Sequence, residues 1–169
     1  FEVAGGSKAD TLTGLDQVGF AGDTLDGGEG SDEIDGAGGN DLLIGGLGKD
    51  RLLGGDGNDT LKGGDHGAEG GGLLNGGHLV NGDQLIGGNG ADLYILGDET
   101  GTFYGIGTED TNDYARVELS DEDTIQLAGS AEDYVLQVFE GLPTTIYLAN
   151  TGNTVAILEL TEEADPLET

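Results

Sequence analysis

A nine-residue repeat in the first half of the 169-residue chain limits what the chain can fold into more than any other feature. Aspartate recurs at every ninth position, at Asp23, Asp32, Asp41, Asp50 and Asp59. An aliphatic side chain follows each aspartate after two residues, and glycine pairs precede several of them in the same register. The 36 glycines could by themselves indicate disorder, but a register shared by three residue types predicts an ordered repeat.

Each repeat divides into a turn and a short strand. In the six-residue pattern Gly-Gly-x-Gly-x-Asp, glycines can adopt positive φ without a Cβ penalty and bring carbonyl oxygens close together. The next three residues suffice only for a very short strand whose middle side chain points inward. Two repeats therefore predict one coil of 18 residues, with turns on alternate sides, parallel strands and a narrow aliphatic core.

The composition of the turns favours a hard cation as their ligand. Ca²⁺ takes six to eight oxygens at about 2.3–2.6 Å, and one turn of carbonyls with its carboxylate supplies half of them. The other half must come from the turn two repeats further on. The spacing thus predicts that Asp23 pairs with Asp41 and Asp41 with Asp59 on one side, and that Asp32 pairs with Asp50 on the other.

The net charge agrees with a cationic ligand. The chain has 34 acidic and 5 basic side chains and a formal charge of −29. Binding to nucleic acid or to an anionic membrane depends on lysine and arginine, so both kinds of partner are disfavoured.

These motifs resemble the calcium-binding nonapeptide of RTX, or hemolysin-type, proteins. Residues 87–95 are a further copy, and weaker copies contain Asp10 and Asp83. The resemblance implies an all-β fold, a right-handed parallel β-roll holding several calcium ions. The carboxylate ligands would be Asp10, Asp23, Asp32, Asp41, Asp50, Asp59, Asp83 and Asp92. The resemblance also implies main-chain carbonyl ligands from Gly27, Gly28, Gly30, Gly36, Gly39, Gly45, Gly46, Gly48, Gly54, Gly55, Gly57, Gly87, Gly88 and Gly90.

The register breaks after the glycine pair at 63–64. The position two repeats after Asp50 is Ala68, which has no carboxylate, and this argues against a regular site that pairs Asp50 with the next coil. The spacing from Asp59 to Asp83 is three residues short of three repeats, so an irregular insertion is predicted at about 66–81.

The chain divides near residue 96 into the roll, residues 1–95, and a β-rich cap, residues 96–169. Alternating patterns predict short strands in the cap at 114–119, 124–127, 134–139, 145–148 and 155–160. A stack of repeats needs such a cap to cover its last apolar layer. Asp121 and Asp123 either hold another calcium ion there or are acidic turn residues that bind nothing.

Taken together, the sequence predicts a calcium-binding module of a larger secreted bacterial protein, disordered without calcium and folding outside the cell. Catalysis is not expected, since cysteine and the common nucleophile motifs are absent from the sequence. The resemblance further implies export by type I secretion machinery, with a possible signal in the acidic tail. Two alternatives are a calcium-dependent recognition module, such as an adhesin or glycan-binding unit, and calcium-triggered self-processing at Asp165-Pro166. A zinc site at His66 and His78 is less favoured than surface spacer residues.

Overall fold

In the computed structural model, parallel strands alternate between two sheets as the nine-residue period requires. The structure describes residues 1–15, 22–64, 83–98, 101–102, 114–120, 122–138, 144–149 and 154–160. The six-stranded sheet has the order β1 (Glu2–Ala4), β3 (Thr24–Glu29), β5 (Leu42–Leu47), β7 (Thr60–Lys62), β9 (Leu93–Ile95) and β13 (Thr124–Gln126). The eight-stranded sheet has the order β14 (Tyr134–Gln137), β15 (Thr144–Leu148), β16 (Thr154–Leu160), β12 (Ala115–Leu119), β8 (Gln84–Asn89), β6 (Arg51–Asp56), β4 (Glu33–Asp35) and β2 (Thr11–Thr13).

The remaining elements are small. Strands β10 (Gly97–Asp98) and β11 (Gly101–Thr102) form an antiparallel pair, and a 3₁₀ turn spans Ala131–Asp133. Within the ranges that the structure describes there is no α-helix, and hence no helix with the length and apolar character needed to cross a membrane.

Each coil stacks on the next with its repeats in register. Leu25 of β3 lies opposite Leu43 of β5, which lies opposite Leu61 of β7. The same parallel pairing joins β2, β4, β6 and β8 in the other sheet. The prediction of an all-β parallel roll is therefore confirmed.

In the repeats, each strand supplies a single inward side chain to the core between the sheets. These side chains are completely buried in the repeats: Leu25, Ile34, Leu43, Leu52, Leu61, Leu85 and Tyr94. Because one residue in nine faces inward, the core is one side chain wide along the roll and depends on the register of every coil.

Several strands are longer than the three residues predicted. Strands β3, β5, β6 and β8 each have six residues and continue through the following glycine pair. The glycine pairs stay in the ladder, with Gly28 opposite Gly46 and Gly55 opposite Gly88. The backbone thus keeps its pairing while it enters the turn.

The structure corrects the expectation that Asp50 lacks a partner in the next coil. Strand β6 pairs directly with β8, with Leu52 opposite Leu85, and the Asp50 N–H donates to Asp83 Oδ1 at 2.7 Å. Asp83 therefore occupies the position that counting along the chain gave to Ala68. The count was wrong because it treated every residue after Gly64 as part of the coil; residues 65–82 lie outside the described residues.

The cap continues both sheets of the roll. Strand β12 pairs in parallel with β8, and β13 pairs in parallel with β9. Strand β16 then adds to β12, and β15 and β14 complete the sheet as antiparallel strands. The five strands predicted for the cap are all present near their predicted positions.

Candidate metal centre

Each turn of the roll ends in an aspartate, and these aspartates form two columns. The first turn column leads from the eight-stranded to the six-stranded sheet and contains Asp23, Asp41, Asp59 and Asp92. The second turn column leads back and contains Asp10, Asp32, Asp50 and Asp83. Apart from Asp10, these residues have exposed fractions of 3% or less. The fold therefore buries a row of carboxylates at each edge.

From Asp32 onward, one carboxylate oxygen of each aspartate in the columns accepts a hydrogen bond from the backbone N–H of the aspartate one coil earlier. In the first turn column the N–H of Asp23 donates to Asp41 Oδ1 at 2.7 Å, and the N–H of Asp41 donates to Asp59 Oδ1 at 2.8 Å. The N–H of Asp59 donates to Asp92 Oδ1, also at 2.8 Å.

The second turn column repeats this ladder. The N–H of Asp10 donates to Asp32 Oδ1, and that of Asp32 to Asp50 Oδ1, both at 2.8 Å. The structure thus places the members of each predicted pair, Asp23 with Asp41, Asp41 with Asp59 and Asp32 with Asp50, in adjacent coils.

The second carboxylate oxygen is left open in the middle of the columns. The Oδ2 atoms of Asp32, Asp41, Asp59 and Asp92 are buried and accept no hydrogen bond from any described residue. An ionised carboxylate without compensation in a protein interior costs several kcal/mol. These oxygens therefore require a cation or a proton.

The first glycine of each turn brings a carbonyl oxygen to the same place. A Cβ built on Gly36 would lie 2.5 Å from Asp41 Oδ2 and 2.6 Å from the carbonyl oxygen of Gly54 in the next coil. A Cβ on Gly45 would lie 2.5 Å from Asp50 Oδ2, and one on Gly27 would lie 2.6 Å from the Gly45 carbonyl oxygen. Two kinds of oxygen thus face one space between coils, and no side chain fits there.

The second and fourth turn positions need glycine for a different reason, their positive φ. The second position has φ between 93° and 105° at Gly28, Gly46, Gly55 and Gly88. The fourth has φ between 130° and 140° at Gly30, Gly39, Gly48, Gly57 and Gly90. Ala37 holds a second position with φ of 70°, a conformation that costs an L-residue roughly 1–2 kcal/mol.

These donors fit calcium. Among the residues that the structure describes, no three acidic or histidine side chains converge on one point, so most ligands would be carbonyl oxygens. Carboxylate and carbonyl oxygens are the donors that Ca²⁺ prefers, and its flexible geometry tolerates such a mixed set.

Burial changes the acidity of the first turn column. Burial raises the pKa of Asp41 and Asp92, and raises that of Asp59 to about 6, to which the neighbouring Asp92 and Asp41 charges contribute. Within the first turn column, Asp41, Asp59 and Asp92 are therefore aspartates that resist being charged.

The aspartates toward the N-terminal coil have local partners instead of an open oxygen. Asp10 Oδ2 accepts from the Gly6 N–H at 2.7 Å, and Asp23 Oδ2 accepts from the Leu15 N–H at 2.8 Å. Both residues lie in the columns as predicted, but each already has a hydrogen bond at the atom that is open in the interior turns.

Two asparagines that the repeat analysis did not single out form a further ladder in the first turn column. The Asn58 N–H donates to Asn40 Oδ1 at 3.0 Å, and the Ala91 N–H donates to Asn58 Oδ1 at 3.2 Å. Both asparagines stand at the fifth turn position, 18 residues apart. Their recurrence in alternate repeats was the signal that could have identified them.

Some sequence-based candidates lie outside the described residues. They are His66 and His78 of the alternative zinc site, Asp121, and the Asp165-Pro166 bond. Asp123 is described, and it stacks on Asp92, whose N–H donates to Asp123 Oδ1 at 2.9 Å.

Comparison with known families agrees with this site. The model of the RTX calcium-binding nonapeptide repeat, in four copies, matches residues 19–52 and 44–66. These matches contain Asp23, Asp32, Asp41, Asp50 and Asp59. The search of curated proteins found no match to the chain.

Proposed function

From the premise that this chain carries RTX calcium-binding nonapeptide repeats, we propose that it is a module whose roll folds when calcium binds. The observation that carries the proposal is the set of buried, open Oδ2 atoms at Asp32, Asp41, Asp59 and Asp92. When bound, calcium supplies the positive charge that these oxygens lack and joins two coils.

The roll has little else to stabilise it. Burying the one inward aliphatic side chain of a repeat contributes roughly 1.5–3 kcal/mol, whereas ordering the backbone costs about 1–2 kcal/mol for every residue. Stacked carboxylates in the metal-free chain also repel one another. Binding free energy thus becomes folding free energy, as in other small metal-dependent domains.

The proposal includes a place of action outside the cell. Extracellular calcium modules work at dissociation constants of roughly 10⁻⁴ to 10⁻³ M. Such affinities would leave the roll unfolded at low cytosolic calcium and fold it at higher calcium outside. A chain that stays unfolded until it leaves the cell suits export through a type I channel, and its role there is binding and not catalysis.

Circular dichroism of the full chain in EDTA and in millimolar Ca²⁺ tests the proposal, with Mg²⁺ as the control cation. We expect β structure to appear with Ca²⁺ and not with equal Mg²⁺, which demands a rigid octahedral site. Equal β content in EDTA and in Ca²⁺ would contradict the proposal.

A pair of matched variants tests whether the turn columns hold the ions. Asp41→Asn with Asp59→Asn removes two charges at buried turns, and Glu29→Gln with Glu33→Gln removes two at exposed positions. At calcium concentrations 100-fold above the dissociation constant, each lost site removes about 2.7 kcal/mol of stabilisation. We expect only the first pair to raise the calcium midpoint of folding; equal midpoints would contradict the assignment.

A further inference from the structure

The first turn column does not end with the repeats. Thr124 of β13 lies opposite Leu93 of β9. This pairing places Asp123 of the cap over Asp92, which belongs to the last full repeat, residues 87–95. Asp123 Oδ1 accepts the Asp92 N–H at 2.9 Å, the bond that joins every earlier pair in the column, and Asp123 Oδ2 accepts the Ser120 N–H at 2.7 Å. An ionised carboxylate has about four acceptor positions, so both oxygens can still face a cation. Yet residues 118–123 contain no glycine and lie outside the match to the repeat family.

The second turn column ends differently. Arg116 of β12 lies opposite Gln84 of β8, so Ala115 stands over Asp83 and supplies no carboxylate. The cap therefore extends the row of carboxylates at one edge of the roll alone.

Tyr94 provides the oxygen that the glycine-free turn cannot. A Cβ built on Gly54 would lie 2.5 Å from the carbonyl oxygen of Gly87 in the next coil, as at the other first glycines. At Gly87 the corresponding neighbour is the Tyr94 hydroxyl oxygen, 2.7 Å from the same built position. A phenol oxygen thus stands where the earlier turns have a carbonyl.

Hydrogen bonds hold this hydroxyl between roll and cap. It accepts from the Gly87 N–H at 2.8 Å and donates to the Glu118 carbonyl oxygen at 2.5 Å. A phenol oxygen acts both as a donor and as an acceptor, and here its proton is directed at the Glu118 carbonyl oxygen. Beside the hydroxyl lies Asp92 Oδ2, an atom of a 98% buried residue that accepts no hydrogen bond from the described residues.

We propose that Asp92, Asp123 and the Tyr94 hydroxyl form a further calcium site at the junction, so that the last ion in the first turn column fastens the cap to the roll. The inference rests on the proposed function, since it assumes that the earlier turns bind calcium. It adds a ligand that the nonapeptide does not contain and a turn that the repeat pattern does not include.

Terbium luminescence tests the role of Tyr94 directly. Tb³⁺ occupies calcium sites and emits when a tyrosine close to it is excited. We expect Tyr94→Phe to lose most of the sensitised emission of the full chain. Tyr134→Phe is the control, because the Tyr134 hydroxyl donates to the Ala128 carbonyl oxygen at 2.7 Å and belongs to neither column. Unchanged emission from Tyr94→Phe would overturn the proposal.

Titration calorimetry supplies a second readout. Asp123→Asn keeps an acceptor for the Asp92 N–H but loses the charge, so we expect one calcium ion fewer per chain and the same β content at saturating calcium. Wild-type stoichiometry in this variant would also overturn the proposal. If Tyr94→Phe does not fold, the calcium stoichiometry of Asp123→Asn tests the proposal by itself.

These outcomes are separable from failure of the proposed function. If the wild-type chain neither binds calcium nor responds to it, both the proposed function and the junction site are contradicted. If the wild-type chain folds with calcium and the junction variants bind as many ions as it does, only the junction site is contradicted.

Discussion

Aspartates in turns behave differently in the roll and in the cap. Asp41 of the roll leaves Oδ2 open and buried. In the cap, Asp133 Oδ2 accepts from the N–H and the hydroxyl of Ser130 at 2.8 and 3.1 Å. This cap turn thus presents donors to its carboxylate, whereas the glycine turns present carbonyl oxygens. Calcium dependence therefore belongs to the glycine turn and not to the aspartate alone.

Removing calcium is expected to give the largest difference in stability between the roll and the cap. In EDTA we expect amide hydrogen exchange to lose protection throughout β3 to β9, because the open carboxylates destabilise every coil. The antiparallel strands β14 to β16 contain no such turn among the described residues and should keep more of their protection. Uniform loss across both regions would show that the comparison does not hold.

A glycine substitution in each region sharpens the contrast. Gly46 has φ of 102° and an added Cβ would clash with the Gly28 carbonyl oxygen, so Gly46→Ala should cost about 2–4 kcal/mol. Gly129 of the cap has φ of 72°, and its added Cβ would meet the movable Asp133 side chain. We expect Gly129→Ala to cost about 1–2 kcal/mol in calcium-saturated thermal unfolding; equal costs would contradict the distinction.

Acid should partly replace calcium in the roll. The pKa of Asp59 is raised from 3.8 to about 6 in the folded chain, so its contribution to metal-free stability is fully present below pH 4 and is lost as pH rises through about 6. The effect amounts to at most about 3 kcal/mol. In EDTA we expect more β structure at pH 4.5 than at pH 7.5, measured by circular dichroism.

Protonation of Asp59 has the opposite effect on stability when calcium is present, because a protonated Asp59 is a poor calcium ligand. Calcium affinity should therefore fall as pH drops through about 6. The variant Asp59→Asn should reduce the pH dependence in EDTA, and Asp133→Asn of the cap should leave it unchanged. A metal-free chain whose β content rises with pH would contradict the prediction.

The smallest predicted effect is a gain in the stability of the folded chain. Ala37 adopts φ of 70° at a turn position that glycine occupies in the other repeats. Replacing it with glycine relieves roughly 1–2 kcal/mol of strain but increases the entropy of the unfolded chain by about 0.4–1 kcal/mol. We expect Ala37→Gly to stabilise the calcium-bound chain by about 0.5–1 kcal/mol in thermal unfolding. A loss of stability would mean that this turn differs from its neighbours.

Much of the fold follows from the sequence because one physical pattern, the nine-residue period, decides it. The period assigns Leu43 to the core and Asp41 to a column, and the alternation in the cap locates its strands. The pairing of Asp50 with Asp83 could not be predicted by counting, because a chain can leave a coil and rejoin it at any length.

The site was less predictable than the fold. The repeat indicated which turns carry carboxylates, but it could not show which oxygen of Asp41 is bonded and which is open. Tyr94 occupies a position that the pattern assigns to a core side chain, and only the three-dimensional arrangement brings its hydroxyl to Gly87. Such contacts between coils depend on stacking, which a single repeat does not contain.

The interruption between Gly64 and Asp83 has a practical consequence. The Asp50–Asp83 bond at 2.7 Å is as short as the 2.8 Å bond between Asp32 and Asp50, although 33 residues separate the first pair and 18 the second. The column thus keeps its register across added sequence, since closing a longer stretch of chain costs little extra free energy. The stretch between Gly64 and Asp83 is therefore a natural point of insertion for a guest peptide in a scaffold that calcium assembles.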